Sequence, residues 1–281
     1  MSLFQPAVDL NLRHFHPYWA FLPLGIIALL GGLLWGMGVQ DAQAYIALQQ
    51  SLFFQLHQAL APYPAGIDNL TQLGDALLLM ALATVYIKKA PALWQSLTAG
   101  LLVSLVFSSV LKPLLAVPRP AAAFPINQLH IVGPTLTGHN SLPSGHAMTA
   151  FVVLTVMAVL AAPAAGWRRY TWRLGCMGLG ILIALTRIGV GAHYPLDITF
   201  GSLLGVLAAC LGLVLAQSGR WMCWMAKPKY QPIWALFCGA FVVALVQKWM
   251  QNPLPIFLLT AATSLWSGLQ LIRAYVSQKT Q

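Results

Sequence analysis

Residues 195–217 read PLDITFGSLLGVLAACLGLVLAQ, and they are the plainest indication of the kind of fold. Asp197, near the start, is the only charged residue in this stretch. A helix of this length extends about 34 Å, and the hydrocarbon core of a bilayer is about 30 Å thick. The stretch therefore predicts a helix that spans a membrane.

The whole chain has the same apolar character. Of its 281 residues, 59% are hydrophobic and 7% are charged, and the mean hydropathy is +0.74. In a soluble domain roughly a quarter of the residues are charged. The composition excludes an ordinary soluble protein, a disordered chain and a nucleic-acid-binding domain. It predicts an all-α fold, a polytopic transmembrane helical bundle.

Apolar runs of about 20 residues predict eight spans in all. They cover 19–39, 67–87, 92–112, 146–164, 173–189, 195–217, 232–249 and 254–272. We interpret residues 1–217 as a membrane core and residues 218–281 as an additional C-terminal transmembrane hairpin of the same domain. The first run is longer than the apolar part of a usual signal peptide, so we expect an uncleaved anchor.

A further helix is predicted between the first two spans. Residues 43–61, AQAYIALQQSLFFQLHQAL, have apolar side chains at helical spacing. Two interpretations stay open for this segment. It is either a helix that lies on the outer surface of the bilayer or a connector helix packed against the bundle.

The distribution of charge predicts the orientation of the chain. The 15 Lys and Arg outnumber the 5 acidic residues, which gives a formal charge of +10. Most of these cations fall in alternate connecting segments, which predicts that both termini are cytoplasmic. Lys112, Arg119 and Arg187 lie on the opposite, outer side, as does Lys248. Orientation does not explain the first three, so they need another reason.

Those three cations belong to three short patches of sequence. The patches are KPLLAVPRP at 112–120, PSGH at 143–146 and TRIGVGAHYPLD at 186–197. Each patch adjoins the end of a different predicted span, and all three fall at the outer face. We therefore expect them to converge.

The residue types in these patches suit the binding of a phosphate group. Arg119 and Arg187 present planar forks that match phosphate oxygens, and Lys112 adds a compact positive charge. Ser144 supplies a hydroxyl, and Gly145 lets backbone N–H groups approach a ligand closely. The following helix would add its N-terminus, which attracts anions.

Two histidines complete the predicted site. His193 and Asp197 are four residues apart, so they share one face of a helix. The carboxylate can accept the Nδ1 proton and leave Nε2 free to attack phosphorus, and His146 could protonate the departing oxygen. Residue chemistry alone leaves open which histidine attacks. The five Asp residues are scattered, so we expect no magnesium site and no other metal or cofactor.

These patches resemble the signature of the type 2 phosphatidic acid phosphatase superfamily of integral-membrane lipid phosphatases. That pattern is K-x6-R-P, then P-S-G-H, then S-R-x5-H-x3-D, and all three parts occur here in order. The one departure is Thr186 in place of Ser, which keeps the hydroxyl. The resemblance covers about 67–217 together with the first span, a six-helix phosphatase core, and does not cover 218–281.

The resemblance implies a role for each residue. His193 resembles the nucleophile that forms a phosphohistidine, Asp197 its orienting partner and His146 the general acid. The remaining residues resemble the family's phosphate-binding set: Lys112, Arg119, Ser144, Gly145 and Arg187.

Three other ionisable residues stay open as contributors. Asp75 falls inside the second predicted span, where an acid is unusual. It is either functional or the partner of a polar group such as Asn69 or Thr71. His130 and His139 lie in the long outer segment and are either substrate contacts or surface residues.

The predicted function is metal-independent hydrolysis of a lipid phosphate or diphosphate at the outer, periplasmic face of a bacterial inner membrane. The resemblance points to enzymes like the bacterial phosphatidylglycerophosphate and undecaprenyl diphosphate phosphatases. Phosphatidic acid and the lipid A phosphates are further candidate substrates. We expect a lipid phosphate and the bilayer as partners and no nucleic acid; the oligomeric state stays open. The alternatives are a lipid phosphotransferase that uses the same intermediate and an anion or lipid-phosphate transporter.

Overall fold

A computed structural model of the chain describes residues 4–219, 221–222, 224 and 227–279. The regular structure of this part is helical, which confirms the predicted all-α class. In chain order the helices are α1 (Phe4–Arg13), α2 (Phe21–Gly36), α3 (Ala42–Leu60), α4 (Pro64–Thr71), α5 (Ala76–Ala83), α6 (Tyr86–Lys89), α7 (Pro91–Leu115), α8 (Pro120–Ala123), α9 (Gly145–Leu160), α10 (Trp167–Gly189), α11 (Pro195–Gln217), α12 (Gln231–Gln251) and α13 (Pro255–Lys279).

Within the described residues, six helical segments are long and apolar enough to span a membrane, so the chain is an integral membrane protein. These segments are Pro17–Gly36, Pro91–Ala123, Trp167–Gly189, Pro195–Gln217, Gln231–Gln251 and Pro255–Gln278. Two of the eight predicted spans are not continuous helices of full length. Helix α9 has 16 residues and extends only about 24 Å. The predicted span 67–87 is not continuous.

The break in 67–87 has a local cause. Helix α4 ends at Thr71, a short 3₁₀ turn covers Gln72–Gly74, and α5 starts after Asp75. The backbone of Asp75 is extended, and its carboxylate accepts hydrogen bonds from the N–H groups of Leu77 and Leu78 at 2.9 and 3.3 Å. Because the Asp75 carboxylate caps these N–H groups, a new helix begins after Asp75 and does not continue from α4.

Helix α3 corresponds to the helix predicted at 43–61, and it packs against the bundle. It contacts α10 and α11. Its buried side chains lie on one face: Tyr45, Ile46, Gln49, Phe53 and His57. The segment is therefore the packed connector, the second of the two interpretations. Helix α10 begins at Trp167, six residues before the predicted start at 173. The prediction missed these residues because Arg168, Arg169 and Arg173 lower the hydropathy of the first turns.

Helices α7, α9 and α11 form the centre of the bundle. Glycine allows α7 and α11 to approach closely. A Cβ at Gly212 of α11 would lie 2.5 Å from the backbone nitrogen of Gly100 on α7, which leaves no room for a side chain. Close approach of backbones is the usual way in which membrane helices gain packing contacts. It fixes the relative positions of the helices that carry the predicted site.

Helices α12 and α13 pack together as a hairpin and also contact α5. Leu245, Phe257 and Ala261 of the hairpin form an apolar cluster with Leu78 and Ala81 of α5. The C-terminal segment therefore lies against the interrupted helix, next to the predicted site.

Candidate active site

His193 and Asp197 lie at the end of the loop between α10 and α11. Asp197 is in the first turn of α11, and His193 precedes that helix, so the prediction that the two share one face of a helix is wrong. The His193 Nδ1 atom is 3.4 Å from Asp197 Oδ2, and the two residues are 1% and 0% exposed. The structure thus brings together the histidine and the carboxylate that the sequence pairs.

Further donors hold the Asp197 carboxylate. The Ser141 hydroxyl donates to Oδ2 at 2.5 Å, the backbone N–H of Tyr194 donates to Oδ2 at 2.9 Å, and the Tyr45 hydroxyl donates to Oδ1 at 2.8 Å. An ionised carboxylate is the form that accepts this many hydrogen bonds. Asp197 is therefore fixed in position with one edge toward the His193 ring.

Arg119 lies on the other side of the His193 ring. Its Nη1 atom is 3.5 Å from His193 Nε2 and donates to the carbonyl of Ala192 at 3.3 Å, while Nε donates to Asn140 Oδ1 at 2.7 Å. Arg119 is 8% exposed. The guanidinium is held at two points, beside the nitrogen that faces away from Asp197.

Backbone hydrogen bonds between the two ends of the long segment from α7 to α9 position Arg119. The backbone N–H of Arg119 donates to Gly138 O, and that of Ser141 donates to Val117 O, both at 3.0 Å. These two bonds tie the residues around Arg119 to those around Ser141. As a result, one loop brings Arg119 to His193 and Ser141 to Asp197, the partner of that histidine.

Arg187 and Lys112 complete the set of cations. Arg187, near the end of α10, is 6% exposed and donates from Nη1 to the Thr71 hydroxyl at 2.7 Å. Its Nε–H is buried without a hydrogen-bond partner among the described residues. Lys112, near the end of α7, is half-buried, and its Nζ lies 3.8 Å from the position of a Cβ at Gly145.

The PSGH patch forms the start of α9. Ser144 is fully buried, its hydroxyl accepts from Ala147 N at 3.4 Å as the helix cap, and its N–H donates to Asp197 O at 3.0 Å. A Cβ at Gly201 of α11 would lie 2.6 Å from Ser144 O. Close contact with α11 therefore fixes this helix start, and Gly145 and His146 follow it in the first turn.

Burial and charge both act on the protonation state of His193. Burial lowers the pKa of His193 well below its usual value, and the positive charges of Arg119, Arg187 and Lys112 lower this pKa further. Its imidazole is therefore neutral at neutral pH, with a lone pair on one nitrogen. Burial and the charge of Asp197 raise the pKa of Tyr45, which keeps its hydroxyl a donor.

Two cavities meet at His146. A polar cavity of about 570 Å³ is lined by His146, Arg187 and Asp75, among others. A groove of about 650 Å³, mostly apolar, is lined by Asp75, Gly145 and His146 and by further side chains of α5, α7, α9 and α12. The site thus opens to a polar space and to an apolar one.

The residues that the sequence left open have distinct positions. Asp75 forms an ion pair with Lys248 of α12, so its partner is neither Asn69 nor Thr71. The side chains of His130 and His139 are exposed. Across the described residues, no group of three or more His, Cys, Asp or Glu is arranged to hold a metal ion.

His57 is fully buried and was not singled out from the sequence. Its Nδ1–H donates to Ile188 O at 2.8 Å, and its Nε2 accepts from the backbone N–H of His130 at 2.9 Å. Burial lowers the pKa of His57, which favours this neutral form. The ring fastens the long loop to the end of α10, close to Arg187.

Sequence reasoning also missed Tyr45, Ser141 and Asn140. Ser141 and Asn140 stand shortly before PSGH in a polar run, and that nearness is a signal that could have been used. Tyr45 is 152 residues from Asp197 along the chain, and its position in an amphipathic helix gives no indication of this contact.

One family model matches the part of the chain that carries the site. Residues 93–221, a little under half of the chain, match the model of the PAP2 superfamily. All eight residues predicted for the site lie inside the matched range. Asp75, Tyr45 and the hairpin α12–α13 lie outside it.

Named relatives match the same core. The chain is 29% identical over 132 residues to an undecaprenyl-diphosphatase of Sulfolobus acidocaldarius. The aligned region covers 47% of this chain and 59% of that protein. The chain is also 34% identical over 140 residues to a lipid A 1-phosphatase of Rhizobium johnstonii. That aligned region covers 47% of this chain and 53% of that protein. The chain thus matches between half and three-fifths of the length of these relatives.

Two crystal structures share the fold. One is Aquifex aeolicus LpxE, with a TM-score of 0.50, 24% identity and coverage of 59% of this chain and 95% of that chain. The other is a transmembrane PAP2-type phosphatidylglycerolphosphate phosphatase from Bacillus subtilis. Its TM-score is 0.51 at 18% identity, and the alignment covers 73% of this chain and 99% of that chain.

Proposed function

We propose that this protein is a membrane phosphatase that removes a phosphate group from a lipid phosphate or diphosphate through a phosphohistidine on His193. The observation that carries the proposal is the environment of that ring. Its Nδ1 lies 3.4 Å from Asp197 Oδ2, and its Nε2 lies 3.5 Å from a buried arginine, Arg119. A neutral imidazole held in this way has its lone pair next to a group that binds phosphate.

In the first step, His193 Nε2 attacks phosphorus and the bond from phosphorus to the leaving oxygen breaks. The electron pair of that bond goes to the oxygen, which takes a proton from the imidazolium form of His146, a form that the negative charge of the bound phosphate favours. The imidazole keeps its proton on Nδ1, and the positive charge that develops on the ring faces the Asp197 carboxylate. This step leaves a phosphohistidine and a protonated leaving group.

In the second step, His146 accepts a proton from water as the water oxygen attacks phosphorus. The nitrogen–phosphorus bond breaks, and its electron pair returns to His193 Nε2. Inorganic phosphate leaves, and both histidines are back in their starting protonation states. The position of His146 at the junction of the two cavities supports this role, because the leaving group and the water both need access there.

The phosphate group would be bound by the predicted set of Lys112, Arg119, Ser144, Gly145 and Arg187. Burial of the two arginines strengthens their attraction for an anion, because little water screens them. The unpartnered Nε–H of Arg187 is a donor that a phosphate oxygen would satisfy. The Ser144 hydroxyl accepts a bond as helix cap and keeps its hydrogen for donation. These groups supply positive charge, and the reaction is proposed to need no metal and no other cofactor.

A lipid substrate is supported by the mostly apolar groove that Gly145 and His146 line. The headgroup would lie at the cations and a hydrocarbon chain would follow the groove. The names of the two relatives, an undecaprenyl-diphosphatase and a lipid A 1-phosphatase, also support a lipid substrate. The cation distribution supports a site on the periplasmic face of a bacterial inner membrane, with both termini cytoplasmic.

We also propose that residues 1–217 and 218–281 form one domain. Trp234, Cys238 and Leu271 of the C-terminal hairpin share an apolar cluster with Trp94 of α7 and Leu93 beside it. Burial of apolar surface between the two parts favours their folding as one unit.

The test is release of free phosphate by purified full-length protein in detergent, with excess EDTA. The substrates are undecaprenyl diphosphate, phosphatidylglycerol phosphate, phosphatidic acid and lipid A. Wild type is compared with His193→Ala and with His139→Ala, a matched change at an exposed histidine. We expect phosphate release that survives EDTA, persists in His139→Ala and is lost in His193→Ala.

The same assay separates the alternatives. Phosphate release at wild-type rates by a folded His193→Ala protein contradicts the mechanism. Phosphohistidine turnover only when a lipid acceptor is added identifies a phosphotransferase. Protein-dependent movement of a lipid phosphate across vesicles that persists in His193→Ala, without hydrolysis, identifies a transporter. A loss of activity on EDTA treatment that is restored by a divalent metal contradicts metal independence.

A further inference from the structure

The ion pair between Asp75 and Lys248 lies in the wall of the polar cavity, outside the PAP2 domain match. Lys248 is near the end of α12, and its side chain is 35% exposed, compared with 17% for Asp75. The catalytic scheme above uses neither residue. An acid and a base at this place in a membrane protein are costly unless they are paired or functional.

The cavity holds a particular set of charges. The residues that line it include the cations Arg187 and Lys248, the acids Asp68 and Asp75, and His146. Asp68 accepts from Gln72 Nε2 at 3.2 Å and from Asn252 Nδ2 at 3.4 Å, so neutral amides satisfy it. Of the two cations that line the cavity, Arg187 is buried and Lys248 is partly exposed.

Asp75 does not depend on Lys248 to satisfy its carboxylate. Its Oδ1 accepts the N–H groups of Leu77 and Leu78 as the cap of α5, and only Oδ2 contacts Lys248. The lysine side chain has a long flexible stem and three donors. It can turn toward an anion in the cavity while Asp75 stays bound at the helix start.

The position of His146 relates this cavity to the leaving group. In the proposed reaction His146 protonates the oxygen that departs. When the substrate is a lipid monophosphate, that oxygen belongs to an alcohol. When the substrate is a lipid diphosphate, it belongs to a second phosphate, which remains attached to the lipid and carries negative charge. Such a leaving group needs a cation on the His146 side of the reacting phosphorus.

We propose that Lys248 is a specificity-determining residue that binds the lipid-linked phosphate of a lipid diphosphate. This inference rests on the proposed function. Asp75 holds the ammonium at the cavity wall until the substrate enters, and the C-terminal hairpin carries it to the site. The positive charge of Lys248, which lies outside the matched PAP2 range, thereby contributes to the choice of substrate.

The experiment compares farnesyl diphosphate with farnesyl monophosphate, which carry the same chain. The measured quantity is the ratio of kcat/KM for the diphosphate to that for the monophosphate. In Lys248→Gln we expect this ratio to fall about ten- to a hundredfold, the usual effect of losing one charged hydrogen bond. In Lys248→Arg, which keeps the charge, we expect the ratio to change less than about threefold.

Asp75→Asn is the matched control, because it also breaks the ion pair but keeps the lysine. Asn is as good a helix cap as Asp, so α5 is preserved. We expect the ratio in Asp75→Asn to stay at the wild-type value or to rise. A fall equal to that in Lys248→Gln would overturn the proposal and identify the pair as a structural tether. An unchanged ratio in Lys248→Gln would overturn it as well.

The failure of the proposed function gives a different result. If the wild-type protein released no phosphate from either substrate, the hydrolase itself would be wrong, and the role of Lys248 would fall with it. If the wild type hydrolysed both substrates and Lys248→Gln lowered the two kcat/KM values equally, hydrolysis would stand and only the specificity role would fail. Thermal unfolding in detergent, measured on each variant, separates misfolding from both results; should Lys248→Gln not fold, Lys248→Met provides the same loss of charge.

Discussion

The hydrogen bond from Tyr45 to Asp197 gives a sharp test of how the active site is positioned. Tyr45→Phe removes only the hydroxyl, which donates to Asp197 Oδ1 at 2.8 Å. A hydrogen bond to a charged group is worth about 1.5–3 kcal/mol. The other carboxylate oxygen keeps its bonds from Ser141 and from the N–H of Tyr194. We therefore expect about half of that value, about 0.75–1.5 kcal/mol, to appear in the barrier, which corresponds to a kcat/KM about 3.5- to 13-fold lower.

The assay is phosphate release by purified protein, with thermal unfolding in detergent as a check on folding. Tyr194→Phe is the matched control. Tyr194 is fully buried in the same apolar cluster as Tyr45, but its hydroxyl has no hydrogen-bond partner among the described residues. Removal of that hydroxyl leaves no acceptor unsatisfied, so we expect kcat/KM within about twofold of wild type and no loss of stability.

Two results would refute this reasoning. A folded Tyr45→Phe protein with wild-type kcat/KM would mean that Tyr45 only packs against the bundle and that Asp197 needs no help from α3. Equal losses in Tyr45→Phe and Tyr194→Phe would mean that the activity responds to any change in the aromatic cluster. A loss of kcat/KM in Tyr45→Phe alone would support a positioning role for the hydroxyl.

Three further predictions concern Arg119, the proposed nucleophile His193 and the contact between α9 and α11. Arg119→Lys should lower phosphate release at least about tenfold, because a point charge cannot replace a fork; wild-type rates would contradict this. Because the pKa of His193 is lowered, the acid limb of kcat/KM that belongs to His193 should lie below pH 6.5. Stability should likewise fall as the pH drops below 6.5, since the unfolded chain binds the proton more tightly; an acid limb above pH 6.5 would count against a buried neutral imidazole. Gly201→Ala should cost about 1–3 kcal/mol of stability by pushing Ser144 away, whereas Gly239→Ala, with open space around it, should not; equal unfolding temperatures would refute this.

The convergence of the three patches could be predicted because each patch contains polar or charged residues that stand out in an apolar sequence. Lys112, Arg119 and Arg187 are cations that the predicted orientation of the chain does not require. The spacing of His193 and Asp197 predicts that the two side chains meet, and the structure has their atoms 3.4 Å apart, although His193 lies before α11 and not on it. Charge in an apolar sequence is conspicuous, so these positions carry most of the information about the site.

The contacts that position the site could not be predicted in the same way. Tyr45 and Ser141 reach Asp197 from helix α3 and from the long loop between α7 and α9. Their hydroxyl groups are common in membrane helices and loops, and nothing local distinguishes these two from others. Which hydroxyl meets which carboxylate depends on the packing of helices that are far apart in the chain, and a hydropathy pattern contains no such information.

The interrupted helix explains why the second span was predicted wrongly and why it matters. Hydropathy averaged over about 20 residues detects the apolar content of 67–87 and misses a single helix break. The break brings three groups to the site: the Thr71 hydroxyl accepts from Arg187, Gly74 leaves room for His146, and Asp75 holds Lys248. Non-helical backbone at membrane depth is stable only where protein buries it or where it lines a polar cavity. Thr71, Gln72 and Asp75 line that cavity. A continuous helix would satisfy its own backbone but would remove the contacts of Arg187 and Lys248, so the polar cavity and the break in the helix require each other.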